Sequence, residues 1–240
     1  MLNNRLDLID LRAACKRMYE NERKKILVCA GTGCVAGGAI GVYEAFKERM
    51  AESSVPYTVE LTEKAHTDSV GLKKCGCLGL CEEGVLVRIE PEGYFYTKVK
   101  PEDCAEIVQE TVVGGKFIER LAYQRDGVVH QTQENIPFYK GQRRLVLTLC
   151  GSIDVDQIKD YIAMGGYTAF EKTLFDMDPD AVVKAVTDSG LRGSSVKARY
   201  AILNSSVSRI VASSNTAAAS PILLSRIIGT KVTNIFFSSA

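Results

Sequence analysis

The sequence predicts an α/β fold: a small mixed domain over residues 24–113, followed by a linker and a small helical segment. Three observations carry that reading. The apolar run Ile26-Leu27-Val28 stands directly before a glycine-bearing turn, as a short buried strand does. Stretches of helical period and of period two then alternate until Gly114-Gly115, which stops the last helix. Two cysteine pairs, Cys29 with Cys34 and Cys77 with Cys81, fall in loops between these elements.

Each element has its own warrant. Leu6, Leu8, Ile9, Leu11, Cys15 and Met18 recur at helical spacing among charged residues, so residues 1–23 read as an amphipathic helix ending near Asn21. Cys15 lies on its apolar stripe and reads as a buried thiol. Residues 25–30 form the first strand. Residues 39–50 form a helix whose face is Ile40, Val42, Tyr43, Phe46 and Met50. Residues 57–61 alternate as a strand, and a cysteine-rich loop over 75–81 is the next feature. Val85, Val87 and Ile89 alternate, Pro91-Glu92-Gly93 turns the chain, and Tyr94, Tyr96 and Lys98 return as a hairpin. Pro101-Glu102-Asp103 opens a helix with proline and acids where the first turn prefers them, and its face includes Cys104, Ile107, Val108 and Thr111. The order β-α-β-loop-β-β-α is of thioredoxin-like type.

Beyond residue 113 the signal weakens. Residues 114–144 lose periodicity and read as an extended linker, pinned by Phe117, Leu121, Tyr123, Phe138 and Tyr139. Residues 145–149 read as a short strand. Helices are expected over 154–164, 167–177 and 179–189, the last started by the Asp178-Pro179 pair. Residues 194–240 change composition to Ser, Ala, Thr and Asn and read as a divergent tail, with no partner for its apolar patches.

Composition narrows the function. A net charge of +1 and the absence of tryptophan argue against a nucleic-acid binder. No stretch of about 18 apolar residues offers a membrane span. The charged N-terminus lacks the form of a secretory signal, so a cytoplasmic location is expected, and there eight cysteines point to metal or redox chemistry rather than disulfides.

The spacing is Cys29-x4-Cys34 and Cys77-x3-Cys81. Four thiolates from two loops suit a [2Fe-2S] cluster, in which each iron completes its tetrahedron with two cysteine sulfurs. Structural zinc usually draws on C-x2-C knuckles, and a thioredoxin-type dithiol also needs C-x2-C, a spacing that this sequence lacks. Zinc and unligated cysteines remain alternatives. Cys75, two residues before Cys77, reads as packing beside the cluster rather than as a ligand. A further competitor is Gly31-x-Gly33-x-x-Ala36 between a strand and a helix, the setting of a dinucleotide fingerprint, with Glu60 as a candidate ribose-binding acid. That reading leaves both cysteine pairs unexplained. His66 and His130 share no motif with a nucleophile, and no catalytic residue stands out.

These residues resemble the flavoprotein (NADH-binding) subunit of respiratory complex I and, more closely, the beta subunit of NAD(P)-dependent, electron-bifurcating [FeFe]-hydrogenases. In the hydrogenase type a thioredoxin-like [2Fe-2S] ferredoxin domain precedes the flavoprotein core. Lys25-Ile26-Leu27-Val28-Cys29-Ala30-Gly31-Thr32-Gly33-Cys34 and Gly76-Cys77-Leu78-Gly79-Leu80-Cys81-Glu82-Glu83-Gly84 resemble its ligand loops. Glu119-Arg120-Leu121-Ala122-Tyr123 and Ile136-Pro137-Phe138-Tyr139-Lys140-Gly141-Gln142 resemble the connector. Cys150-Gly151-Ser152-Ile153-Asp154, Tyr161-Ile162-Ala163-Met164-Gly165-Gly166-Tyr167 and Ser189-Gly190-Leu191-Arg192-Gly193 resemble the start of the flavoprotein core, giving a core segment over 145–193.

The resemblance implies Cys29, Cys34, Cys77 and Cys81 as ligands of a [2Fe-2S] cluster. It further implies electron relay between a flavin site and partner iron–sulfur subunits of a NAD(P)-linked oxidoreductase or hydrogenase. The full-length family also carries FMN, NAD(H) and a [4Fe-4S] cluster. Here Ser194-Ser195-Val196-Lys197 stands where the glycine-rich FMN loop would begin, and no later cysteine follows. That departure puts those three groups, and catalysis by this chain alone, in doubt. A non-catalytic fragment acting in assembly or docking is the alternative.

Overall fold

The computed structural model describes residues 4–53, 55–62, 68–145 and 147–190. The expectations for His66, for residues 191–193 and for the tail after 194 fall outside them. The chain divides into two compact units, Arg12–Met164 and a second made from Met1–Leu11 with Gly165–Ala240. Helix α1 (Arg5–Glu20) contributes residues to both.

The larger unit is built on a five-stranded mixed sheet. Its strands are β1 (Lys24–Cys29), β2 (Tyr57–Thr58), β3 (Val70–Cys75), β4 (Val87–Glu90) and β5 (Tyr94–Tyr96), in the spatial order β2-β3-β1-β4-β5. The central strand β1 is covered on both faces, so Ile26, Leu27, Val28 and Cys29 are all buried and its sequence runs apolar without alternation. It pairs in parallel with β3 and antiparallel with β4. After the short α2 (Thr32–Ala36), α3 (Ala39–Glu52) buries Val42, Tyr43, Phe46 and Met50, one face at helical spacing, while Ile40, expected on that face, is 46% exposed. The helix expected after Pro101 exists in three pitches: a 3-10 turn Pro101–Asp103, α4 (Cys104–Glu106), and a wide π turn Ile107–Val113. Ile107, Val108, Thr111 and Val112 on it are buried in the same core.

Strand β3 is absent from the sequence-based reading, which carried the chain from residue 61 straight to the cysteine loop. The reason is Lys73. It is 1% exposed, and its ammonium lies 3.1 Å from Glu22 Oε1 and 2.9 Å from Asp160 Oδ2. A charge held by two carboxylates occupies a core position that an apolar residue would have marked. Strand β2 is also shorter than expected and pairs only with Val70 and Gly71. The rest of that β3 edge is taken by a distant segment: Val155 N–H donates to Lys74 O at 2.9 Å, and Lys74 N–H donates to Asp154 Oδ2 at 2.9 Å. Asp160 Oδ2 in turn accepts from Asp154 N–H at 3.0 Å.

Residues 114–144 are more ordered than an extended linker. They contain a hairpin of β6 (Tyr123–Arg125) and β7 (Val128–His130), and the short α5 (Pro137–Lys140). Phe95 N–H donates to Gln131 O at 2.8 Å and Thr97 N–H to Leu121 O at 2.8 Å, so the connector runs along the outer side of β5. Phe117 stacks on Tyr96 at 5.7 Å, Tyr139 meets Phe95 edge-on at 6.0 Å, and Leu121 and Tyr123 are buried. Phe138, expected as a further pin, is 44% exposed. The strand expected over 145–149 is a correction: Leu145 lies in a bend and residues 147–150 form turns. Helix α6 (Ile158–Ala163) closes this unit.

In the second unit, α7 (Thr168–Phe175) and α8 (Pro179–Asp188) occupy the expected stretches. Asp178 caps α8, its Oδ1 accepting from Ala181 N–H at 2.9 Å. Arg5 forks onto both Asp176 oxygens at 2.8 and 2.9 Å and reaches Glu171 at 2.9 Å. Among the described residues no helix is long and apolar enough to cross a membrane.

Candidate cluster site

Parallel pairing decides where the cysteines meet. In the β1–β3 register Cys29 stands opposite Cys75, so the carboxyl ends of both strands, and the loops that leave them, lie at one end of the sheet. Cys29 is the last residue of β1, and Cys34 sits one helical turn on, inside α2. Cys77 and Cys81 come from the loop after β3, the latter opening a 3-10 turn Cys81–Glu83.

The two loops touch through their glycines. A Cβ on Gly31 would fall 2.9 Å from Cys77 Cβ and 3.1 Å from its Sγ. One on Gly33 would fall 3.0 Å from Cys81 Cβ and 3.2 Å from its Sγ. Each glycine of the first loop thus faces one cysteine of the second, and any larger residue would drive the loops apart. The same packing answers the dinucleotide reading. The space that a pyrophosphate would need before Gly31 and Gly33 is filled by Cys77 and Cys81.

The four sulfurs form two pairs. Cys77 Sγ and Cys81 Sγ are 4.0 Å apart on the exposed side, whereas Cys29 and Cys34 are fully buried. The Cys29 thiol is pulled down to about 6 by a hydrogen bond from Cys34; burial opposes this, and N–H groups of Leu78 and Gly31 and the Cys77 thiol add to it. Cys34 is pushed up by that same hydrogen bond and by burial, and burial raises Cys77. Backbone amides of both loops are therefore already aimed at sulfur, the arrangement that lowers the cost of an anionic metal–thiolate group. Among the described residues no three His, Cys, Asp or Glu side chains are placed to hold a single metal ion. Two cysteine pairs in contact through a glycine seam fit a binuclear cluster better than a closed four-ligand zinc site.

The other four cysteines differ in setting. Cys75 is fully buried beside Cys29, with its thiol raised by burial. Cys15 and Cys104 are core residues, and burial pushes Cys104 up to about 12. Cys150 is half-buried against the backbone of Gly76, where a Cβ would meet its Sγ at 3.1 Å. His130 sits on the β6–β7 hairpin beside Tyr123, 5.8 Å between rings, and Glu60 is exposed.

Two residues from the 114–144 segment reach the 77–81 loop. Tyr139 Oη donates to Leu78 O at 2.8 Å, and its phenol is pushed up to about 12, first by burial, then by the nearby Cys29, Cys77 and Cys81 sulfurs against the pull of Arg144. Arg144 donates to Leu78 O at 2.6 Å, Cys150 O at 3.1 Å and Cys77 O at 3.3 Å. The sequence marks Tyr139 as an apolar pin. Nothing in it separates Arg144 from its neighbour Arg143.

Comparison with known proteins matches the same part of the chain. Residues 17–112 match the family of thioredoxin-like [2Fe-2S] ferredoxins. A 2Fe-2S ferredoxin of Clostridium pasteurianum is 29% identical over 101 residues, which span 42% of this chain and 96% of the relative. A crystal structure of the thioredoxin-like [2Fe-2S] ferredoxin from Aquifex aeolicus is 28% identical, covering 43% of this chain and 99% of that one with a TM-score of 0.34. The NADP-reducing hydrogenase subunit HndC of Solidesulfovibrio fructosivorans is 48% identical over 54 residues, 22% of this chain but only 11% of that subunit. The family match gives residues 17–112 the fold of a thioredoxin-like [2Fe-2S] ferredoxin, an electron-transfer domain with relatives among hydrogenase subunits.

Proposed function

We propose that Cys29, Cys34, Cys77 and Cys81 hold a [2Fe-2S] cluster and that this chain relays single electrons within a NAD(P)-linked oxidoreductase or hydrogenase. The observation that carries the proposal is the glycine seam, which brings two cysteine pairs from separate loops into contact. When bound, the cluster supplies a one-electron couple. The chain's own residues do the rest. Cys29 and Cys34 form the buried side, and Cys77 and Cys81 form the exposed side, through which a partner's redox group would come close. The N–H groups of Gly31 and Leu78 point at sulfur and favour the anionic state.

The partners in this reading are a flavin site and other iron–sulfur subunits, in the cytoplasm. Its support is the likeness to the hydrogenase subunit together with the connector and core motifs read in the sequence. Residues 24–113 are then the ferredoxin domain, 114–144 its connector, and 145–193 the start of a flavoprotein core.

Anaerobic reconstitution tests the ligand set. The protein is expected to take up about two irons and two sulfides per chain, with the visible absorption and reduced-state EPR of a [2Fe-2S] centre. Cys34→Ser and Cys77→Ser are expected to lose them. One tightly bound zinc and no sulfide would overturn the assignment.

A further inference from the structure

The connector does more than cross from one part of the chain to the next. After α5 it turns back over the 77–81 loop, and the residue that fastens it there is Arg144. Its guanidinium contacts three carbonyls on two segments: Cys77 O at 3.3 Å and Leu78 O at 2.6 Å on the ligand loop, and Cys150 O at 3.1 Å on its own segment. Among the described residues no carboxylate pairs with it, so its charge is not cancelled locally. The side chain is half-buried, which limits screening by solvent. A planar cationic fork with five donors suits three converging carbonyls; an ammonium presents a point charge, and an amide presents none.

Resting on the cluster assignment above, we propose that Arg144 is a positioning residue that fixes the 77–81 ligand loop and raises the reduction potential of the cluster it holds. Reduction adds one negative charge to the cluster. A fixed positive charge against the loop that carries two of its ligands stabilises the reduced form more than the oxidised form. The three carbonyl contacts hold that charge in place, and Tyr139, donating to the same Leu78 O, holds the loop from a second side. Because Arg144 lies outside residues 17–112, the connector would give this chain a potential that the ferredoxin domain alone does not have.

The test uses the full-length reconstituted protein, with Arg144→Gln and Arg144→Lys, and reads midpoint potential by EPR-monitored titration at low and high salt. Arg144→Gln is expected to lower the ratio of reduced to oxidised cluster at a given potential by roughly tenfold, about 59 mV for one electron. Arg144→Lys, which keeps the charge, is expected to stay near the wild-type value, and the gap between Lys and Gln to narrow as salt rises. A full cluster with unchanged potential in Arg144→Gln overturns the proposal, as does an equal shift in both variants, which marks a purely structural contact. If Arg144→Gln fails to hold a cluster, Arg144→Lys decides alone: a wild-type potential supports the role of the charge, and a lowered one refutes it. A wild-type protein without the [2Fe-2S] signal would instead overturn the ligand assignment.

Discussion

Replacing Gly31 by alanine probes the seam on which the site depends. Gly31 has φ −64° and ψ 151°, an extended conformation that alanine adopts freely, so backbone strain contributes nothing and the effect is steric. The added Cβ would lie 2.9 Å from Cys77 Cβ, 3.1 Å from its Sγ and 3.2 Å from its Cα. Carbon atoms rest at about 3.5–4.0 Å, so the loops must separate by roughly half an ångström or more. Cys77 Cα is part of the obstacle, and rotating a side chain cannot clear it. Overpacking of this kind costs about 1–3 kcal/mol, and each 1.4 kcal/mol is about tenfold in an equilibrium.

The assay is denaturant unfolding of the apoprotein beside iron and sulfide content after reconstitution. Gly31→Ala is expected to lower both, and Gly141→Ala, where a Cβ meets nothing within 4 Å, to change neither. A fully loaded Gly31→Ala protein of wild-type stability would refute the argument that the glycines set the distance between ligand pairs.

Other expectations follow from the buried charges and the loop contacts. Lys73→Met takes the shared cation from Glu22 and Asp160 and is expected to destabilise by about 3–5 kcal/mol in thermal or denaturant unfolding, with partial recovery at acid pH as the buried Glu22 carboxyl takes up its proton. Burial raises the Glu22 carboxyl despite Lys73 and Lys25 beside it, and Asp160 adds to the rise. Its native form therefore keeps a proton after the unfolded chain has lost it. The stability of the wild type relative to Glu22→Gln should fall as pH rises from the unfolded carboxylate value, about 4.3, through the raised native value, and then level off. A difference that grew with pH would show the opposite sign. Tyr139→Phe removes the donor to Leu78 O and is expected to cost about 0.5–1.5 kcal/mol and to speed loss of the cluster to a chelator, measured by bleaching of its visible absorption.

What the sequence reveals and what it hides have physical causes. The strand before Cys29, the face of α3 apart from Ile40, the proline-led start at Pro101 and the capped start of α8 are legible because each depends on neighbours within one or two turns of chain. The cysteine pairs are legible as pairs, since their spacing is local; that Gly31 faces Cys77 and Gly33 faces Cys81 requires the parallel register of β1 and β3. Strand β3 stays hidden because Lys73 is buried only through Glu22 and Asp160, residues 51 and 87 positions away along the sequence. The structure of the connector is illegible for a similar reason. It is held in place by hydrogen bonds to β5 and to the 77–81 loop, and its own hairpin strands are three residues each, too short to show a period. The apolar spacing over 145–149 imitates a strand where the chain forms turns beside Arg144.

The way the connector lies along β5 also bears on how the protein behaves as a solute. A chain ending near residue 113 would leave the N–H groups of Phe95 and Thr97 without the carbonyls of Gln131 and Leu121, and would uncover the faces of Tyr94 and Tyr96 that Phe117 now screens. Such a row of open donors flanked by aromatic surface is a template for strand addition between molecules. The connector thus guards against self-association. The shortened domain should pass from monomer to aggregate as concentration rises, at concentrations where the full chain stays dispersed.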